Sequence, residues 1–311
     1  MISVVIPLYN KEKQIKRTLQ SVLTQTFQDF EIVIVNDGST DNSVIEVEKL
    51  KDPRIRLVHQ KNAGVSAARN KGIEEAKYEL IAFLDADDEW QSEYLASQYE
   101  LYQKYPECSI YACNYKFKDD NENISDTTIR KIPFREHDGI LNNYFEVASC
   151  SHPPLWTSAV MVRKEAIKII GGFPQGIKSG EDLLTWARLS LKFKIAYNKK
   201  AYCIFNNDKN NYNTDQQKRL PDIPDIVGNQ LENLLIKYSN IKYLNTYIAI
   251  WYKMRARVFL QKGLNKNARK DIRLSINHKL TWKNLIFYIL TFFRKKMQPR
   301  IEKEQNTATG L

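Results

Sequence analysis

Asp85, Asp87 and Asp88 stand at the end of the apolar run Ile81-Ala82-Phe83-Leu84. Such a run reads as a parallel strand buried on both faces, and its carboxyl end is where open α/β sheets bind ligands. Acids crowded there repel one another unless a cation or a donor network holds them. A hard divalent ion, ligated by carboxylate and by substrate phosphate, is the natural counter-charge. If strand geometry persists, Asp85 and Asp87 point the same way, and the small Ala86 between them lets a diphosphate approach. Asn62-Ala63-Gly64 opens a helix, where Gly64 permits close approach of a ligand and the helix N-terminus favours a negative group. Arg69, further along that helix, is placed to reach a carboxylate or phosphate. Asp37 follows a second buried strand, either as a ligand contact or as an Asx-turn residue before Gly38. A further acidic pair, Glu181-Asp182, follows the stretch Gly176–Gly180. In a first helical turn such a pair is by itself only a complement to the helix dipole.

The elements that must carry these residues alternate. Strands are expected at Ser3–Pro7, Glu31–Val35, Arg54–His59 and Glu79–Leu84, with helices at Lys11–Thr24, after Asp41-Asn42-Ser43, and at Ala63–Ala76. Pro7 ends the first strand so that Leu8, Tyr9 and Asn10 can turn. Alternation of this kind implies βαβ units, a parallel sheet and right-handed crossovers. It puts Tyr9-Asn10, Asp37, Asn62 and Asp85–Asp88 along one sheet edge, which makes a nucleotide-sized crevice. Further on, a helix is expected at Gln91–Tyr105, a strand at Ser109–Phe117, a loop at Lys118–Asp126 and a strand at Trp156–Arg163. A short helix over Lys164–Ile170, a helix over Glu181–Lys192 and two short strands, Ile195–Tyr197 and Tyr202–Phe205, follow. From Pro221 the pattern changes to helices near Ile223–Tyr238, Tyr243–Lys262, Lys266–Asn277 and Thr281–Lys296. Two regions result: residues 1–210, α/β, and a helical, basic region at 221–311, joined by a polar linker around 207–222.

Five ordered motifs make the sequence resemble the family 2 glycosyltransferases, which have the GT-A fold. They are Ser3-Val4-Val5-Ile6-Pro7-Leu8-Tyr9-Asn10, then Gln25-Thr26-Phe27 leading to Asn36-Asp37-Gly38-Ser39-Thr40-Asp41, then Asn62-Ala63-Gly64-Val65-Ser66-Ala67-Ala68-Arg69-Asn70, then Phe83-Leu84-Asp85-Ala86-Asp87-Asp88, and Gly180-Glu181-Asp182. Any one is weak; their order and spacing over residues 1–205 carry the resemblance. The resemblance implies an inverting, metal-dependent transfer of one sugar from a nucleotide-sugar, a UDP-sugar, to a hydroxyl of a glycan or lipid-linked acceptor. It implies that Pro7, Tyr9 and Asn10 border the nucleotide, with Tyr9 flanking the uracil, and that Asp37 accepts from the base N3–H. It sets Asn62, Gly64, Arg69, Asp85 and Ala86 around the ribose and diphosphate, Asp85 mainly on the ribose. Asp87 would bind the metal, Mn²⁺ or Mg²⁺. Asp182 would be the general base, with Glu181 supporting it. His152 or Trp156 would meet the acceptor or sugar, or Trp156 would be a packed core residue. The Gln/Arg-x-x-Arg-Trp motif of processive synthases is absent; Trp186 and Arg188 follow Asp182 in another arrangement. A fold-preserving alternative is a catalytically silent nucleotide-sugar-binding or membrane-scaffold protein. Nucleotidyl transfer is disfavoured, because Tyr9-Asn10-Lys11 is not its glycine-rich Gly-x-Gly-Thr-Arg loop.

Charge separates the two regions. The net charge is +11, yet from Trp251 onward 15 Lys or Arg face only Asp271, Glu302 and Glu304. The basic excess therefore sits in the helical region. Nucleic acid and anionic lipid both suit such a patch, but no nucleic-acid motif accompanies it. Leu285–Phe293 is nearly all apolar, follows Trp282 and precedes Arg294-Lys295-Lys296. It is too short to span a bilayer, which needs about 20 residues. An interfacial helix on an anionic membrane surface fits, as does packing on the catalytic domain or a second subunit. Cys108, Cys113, Cys150 and Cys203 lack paired spacing. With no secretory signal at Met1, the expected setting is cytoplasmic, peripheral to the inner face of the cell membrane.

Overall fold

The computed structural model of the 311-residue chain describes residues 1–206 and 220–293. Its first element, β1 (Ile2–Leu8), is buried at all seven positions. Such a strand needs cover on both faces. It pairs in parallel with β2 (Phe30–Asp37) on one side and β4 (Leu80–Phe83) on the other. Beyond β2 lies β3 (Ile55–Gln60), also parallel. Helix α1 (Ile15–Leu23) buries Ile15, Leu19 and Val22, the spacing of one apolar face. Helix α3 (Val65–Glu75) follows β3, as α2 (Ser43–Glu48) follows β2. The parallel strands all deliver their carboxyl ends to one edge, as the alternating pattern requires.

Past β4 the sheet becomes mixed. The strand β9 (Val160–Arg163) runs antiparallel to both β4 and β6 (Ile110–Lys118). Beyond β6 comes β10 (Ile195–Asn206), parallel to it, and β5 (Glu89–Trp90) closes the order β3-β2-β1-β4-β9-β6-β10-β5. Two short strands were expected where β10 is continuous. Its polar middle, Asn198-Lys199-Lys200, is absorbed by register shifts against β6, and the Lys200 N–H bonds the Asn198 side chain. Residues 118–126, expected as a loop, end in β7 (Ile124–Asp126), which folds back on β6 as a hairpin. Two further short elements had no sequence signal: β8 (Asp138–Ile140), on the edge of β10, and α5 (Tyr144–Cys150).

The remaining helices of this part are α4 (Tyr94–Lys104), α6 (Lys164–Ile169), α7 (Glu181–Ser190) and α8 (Ile226–Lys237). The chain divides into compact units after Tyr247, within α9 (Leu244–Gln261), and not at the polar stretch near Pro221. Helix α8 thus lies in the first unit. Arg188 of α7 reaches Gln230 of α8, and the Asp225 carboxylate caps α8 through the Gly228 N–H. The second unit holds the rest of α9 with α10 (Asn265–His278) and α11 (Trp282–Phe293). Its core contains a buried ion pair between Arg255 and Asp271 at 2.9 Å. The expected linker residues 207–219 and the basic triplet Arg294-Lys295-Lys296 lie outside the described residues.

Close approach of α3 to β1 depends on Gly72, where an added Cβ would run into Val5 Cγ1. Alanine there gains about 1 kcal/mol of helix propensity but overpacks a fully buried strand residue, which costs about 1–3 kcal/mol. Gly72→Ala is expected to lower the urea unfolding midpoint; an equal or higher midpoint contradicts this packing.

Candidate active site

The loops at the carboxyl edge enclose a cavity of about 440 Å³. Pro7, Leu8, Tyr9 and Lys11 line it from the end of β1, Asp37 from β2, and Asn62, Gly64, Val65, Ala68 and Arg69 from the start of α3. Asp85, Ala86 and Asp87 line it from the end of β4, and Glu181 from α7. Ten of the expected site residues therefore meet in one place: Pro7, Tyr9, Asp37, Asn62, Gly64, Arg69, Asp85, Ala86, Asp87 and Glu181. Asn10 and Asp182 are not among its walls. Asn10, in a left-handed conformation (φ 52°), spends its side chain on the neighbouring turn: its Oδ1 accepts from the Thr40 N–H at 2.8 Å. Its place is to tie the β1 loop to the β2 loop. Tyr9 beside it stays half exposed at the cavity mouth.

Asp37 is buried, and its carboxylate is already engaged. Oδ1 accepts from Gln60 and from the Ala63 N–H, and Oδ2 from the Gly64 N–H at 2.9 Å. These bonds satisfy donors that open at the start of α3 and fix the loop that forms one cavity wall. Gly64 sits at φ 89°, with nothing near its Cβ direction, so the wall there is bare backbone.

Arg69 is the buried cation of the cavity. It is 4% exposed, bonds Asp85 Oδ1 at 2.7 Å and Glu181 Oε1 at 3.3 Å, and lies over the Phe173 ring. One guanidinium fork thus joins the end of β4 to the first turn of α7. Burial works against its charge, but Asp85 and then Glu181 overcome that and raise its pKa. Phe173 is held in turn by Asn70, whose amide donates to the Phe173 carbonyl and whose Oδ1 accepts from the Phe173 N–H, both at 2.8 Å. Glu181 is pushed up to about 7, chiefly by burial and next by the adjacent Asp182, against the pull of Arg69. Asp182 is also raised, by burial first. Its Oδ1 accepts from the Leu183 N–H at 2.7 Å. The hydroxyls of Tyr144 and Tyr247 lie 3.2 Å apart, and Tyr247 donates to the Leu183 carbonyl. Burial first raises the pKa of both phenols, with Tyr144 next for Tyr247 and the Asp182 charge adding to both.

Asp87 pairs with Lys11 at 2.6 Å, both side chains about one-fifth exposed. Its backbone carbonyl accepts from Asn206 at 2.7 Å and from Arg17 at 3.2 Å. Thr18 bonds the carbonyls of Ala86 and Asp88. The acidic turn is thereby clamped from α1 and β10 before any ligand arrives. Asp88 points away from the cavity and does not cap α4. It is fully buried, accepts from Ser158 Oγ at 2.5 Å and from the Asn206 N–H, and burial, then Asp87 and Asp85, push its carboxyl well above the usual range. No group of three or more His, Cys, Asp or Glu among the described residues converges to hold a metal. The set fits an ion bound by one or two carboxylates plus substrate phosphates, and not an all-protein cage. Sequence reading missed Lys11, Asn70, Phe173, Ser158 and Asn206, which orient the acids.

A crevice at the carboxyl edge of this sheet, lined by an Asp-x-Asp turn and faced by an acidic helix start, defines a GT-A glycosyltransferase architecture. The chain belongs to glycosyl transferase family 2, which it matches over residues 3–168. It is 53% identical over 91 residues to the uncharacterized glycosyltransferase YibD of Escherichia coli K12, covering 28% of this chain and 26% of that one. It is 33% identical over 208 residues to an uncharacterized glycosyltransferase of Rickettsia felis, covering 62% and 31%. The chain thus spans about a quarter to a third of these relatives' length. Among solved structures, Staphylococcus aureus TarS 1–349 in complex with UDP-GlcNAc superposes with a TM-score of 0.62 at 20% identity, over 93% of this chain and 79% of that one. The mannosyltransferase PcManGT of Pyrobaculum calidifontis, in complex with GDP-Man and Mn²⁺, gives 0.57 at 16% identity, over 94% and 79%.

Removing Arg69 leaves Asp85 and Glu181 facing each other without a counter-charge. Arg69→Met is expected to cost on the order of 3 kcal/mol of stability near neutral pH. Without the guanidinium the folded-state pKa of Glu181 rises further, so stability is lost as pH climbs from the unfolded carboxyl range through that value. Urea melts at about pH 5 and about pH 8 test the sign: a deficit equal at both, or larger in acid, contradicts the bridge.

Proposed function

We propose that the chain is an inverting, metal-dependent glycosyltransferase that moves one sugar from a nucleotide-sugar, a UDP-sugar, to a hydroxyl of a glycan or lipid-linked glycan. The observation that carries this reading is the single cavity into which the nucleotide loops, the Asp85–Asp87 turn and the Arg69–Glu181 bridge converge. The complexes of TarS with UDP-GlcNAc and of PcManGT with GDP-Man and Mn²⁺ support a nucleotide-sugar donor on this fold. The catalytic part is assigned to the first compact unit, Met1–Tyr247, and the basic helical region beyond it to contact with a membrane or another subunit.

Asp87, with Asp85 beside it, would hold Mn²⁺ or Mg²⁺, which when bound neutralises charge on the departing diphosphate. The rest falls to the chain. Gly64, with no side chain, leaves room for the diphosphate to approach, and the first turn of α3 beyond it favours anionic oxygens. Arg69 keeps Asp85 aimed at the ribose. Lys11, released from Asp87, supplies a second positive charge for the diphosphate. Asp182 takes the acceptor proton as its oxygen attacks the anomeric carbon opposite the leaving group. Glu181 beside it raises the basicity of the pair. One displacement inverts the configuration and needs no covalent nucleophile.

Three outcomes test this. Asp182→Asn is expected to keep UDP affinity within a few-fold while lowering turnover about 10²-fold or more; full activity removes the base assignment, and tight UDP binding by a wild type without turnover favours a silent binder. Because the base works deprotonated, kcat should climb with pH and level off above about 7, where Glu181 loses its proton; a rate that falls over that range contradicts the pair's role. Lys11→Met should bind Mn²⁺ more tightly than wild type when no nucleotide is present, and bind UDP with Mn²⁺ about 10-fold more weakly. Paramagnetic resonance titration of free Mn²⁺ reads the first effect, and unchanged constants would contradict the assigned role of Lys11.

A further inference from the structure

Helix α11 is inside out. Its buried positions are polar: Asn284 donates to Ser275 Oγ at 3.1 Å, and Thr291 Oγ1 accepts from Arg269 Nε at 3.3 Å. Its apolar side chains face out. Trp282, Leu285, Ile286, Ile289, Leu290 and Phe293 are 43–76% exposed. Their spacing of three and four residues makes one continuous stripe. The helix cannot roll the stripe inward without stranding Asn284 and Thr291, and a buried unsatisfied polar group costs about 1–3 kcal/mol. A contiguous outward apolar face of this kind marks an interaction surface.

Beside the stripe, α10 forms a cavity of about 460 Å³ lined by Lys266, Arg269, Lys270, Arg273 and Leu274. No acid lines it. Arg269 stacks on Phe292 at 3.8 Å, so cationic wall and apolar helix are one continuous surface. Two candidate occupants differ in charge. A second copy would bring two such cationic faces together in an isologous contact, opposing like charges. An anionic bilayer satisfies both parts, with acyl chains meeting the stripe and phosphates meeting the basic cradle. The twelve-residue helix spans only about 18 Å against about 30 Å of hydrocarbon, and no helix among the described residues is long and apolar enough to cross a membrane.

We propose that the α10–α11 face docks in the plane of an anionic phospholipid surface, with headgroup phosphates in the Lys266–Arg273 cradle. It stands independently of the transferase reading. The test is flotation of the full chain with vesicles of phosphatidylcholine alone or mixed with phosphatidylglycerol. Wild type is expected to float with the mixed vesicles only, and to detach as salt rises from about 0.1 M to about 1 M. Ile289→Glu with Leu290→Glu, at exposed positions that leave the fold intact by circular dichroism, should cut partition about 10-fold or more. Lys266→Glu with Lys270→Glu should cut it comparably on mixed vesicles. UDP release from donor in solution should be unchanged in both variants. Absence of wild-type flotation, equal flotation of the Ile289/Leu290 variant, or full release by inorganic phosphate at unchanged ionic strength would overturn the proposal. So would a dimer, seen by light scattering, that the Ile289/Leu290 variant dissociates.

Discussion

The cavity is organised around the buried guanidinium of Arg69. Asp85 comes from the end of β4 and Glu181 from the first turn of α7, nearly a hundred residues later. A buried cation with planar geometry fixes both acids at once. An uncompensated charge in that position is costly, so the two halves of the cavity cannot drift apart independently. Packing reinforces the bridge. Asn70, one residue beyond Arg69, holds Phe173, and Phe173 supports the guanidinium while meeting the edge of Phe83 and Trp186. The chain segment before α7 is thereby attached to α3 and the sheet.

The second constraint is charge number. Asp85, Asp87, Asp88, Glu181 and Asp182 crowd one neighbourhood, where Arg69 and Lys11 are the cations paired with them. The fold manages the excess differently at each acid. Asp88, whose pKa burial raises, takes a structural place between Ser158 and Asn206. Burial and repulsion by neighbouring acids raise the pKa of both Glu181 and Asp182. Asp87 pairs with Lys11. That acid is the one through which a divalent ion and a diphosphate would enter, exchanging one cation for another without leaving the carboxylate exposed to its neighbours.

The alternation of strands and helices, and the acids at strand ends, were legible because period and position carry them. Burial of β1, β2 and β4 follows from their apolar runs, and their parallel pairing puts Asp37 and Asp85 on one edge. The partners were less legible. A lysine two residues past Tyr9 has no sequence mark that says it folds onto Asp87, seventy-six residues away. Asn10 looked like a ligand residue because it sits in the nucleotide-loop motif, yet its position demands a left-handed turn and its side chain closes that turn. The strand β10 read as two strands, since three polar residues interrupt its pattern and only the register against β6 shows that they bulge. In α11 the sequence showed an apolar run; the telling residues were Asn284 and Thr291, seven apart, which choose the inward face.

The account rests on a cation shared between Asp87 and the diphosphate of a bound nucleotide. Crystals grown with UDP and Mn²⁺ and measured at the manganese absorption edge test it most directly. The account predicts one anomalous peak in the cavity, about 2.0–2.3 Å from an Asp87 carboxylate oxygen, with Lys11 moved off that carboxylate toward the diphosphate. UDP bound in the cavity with no manganese beside Asp87, or manganese bound elsewhere, would contradict it.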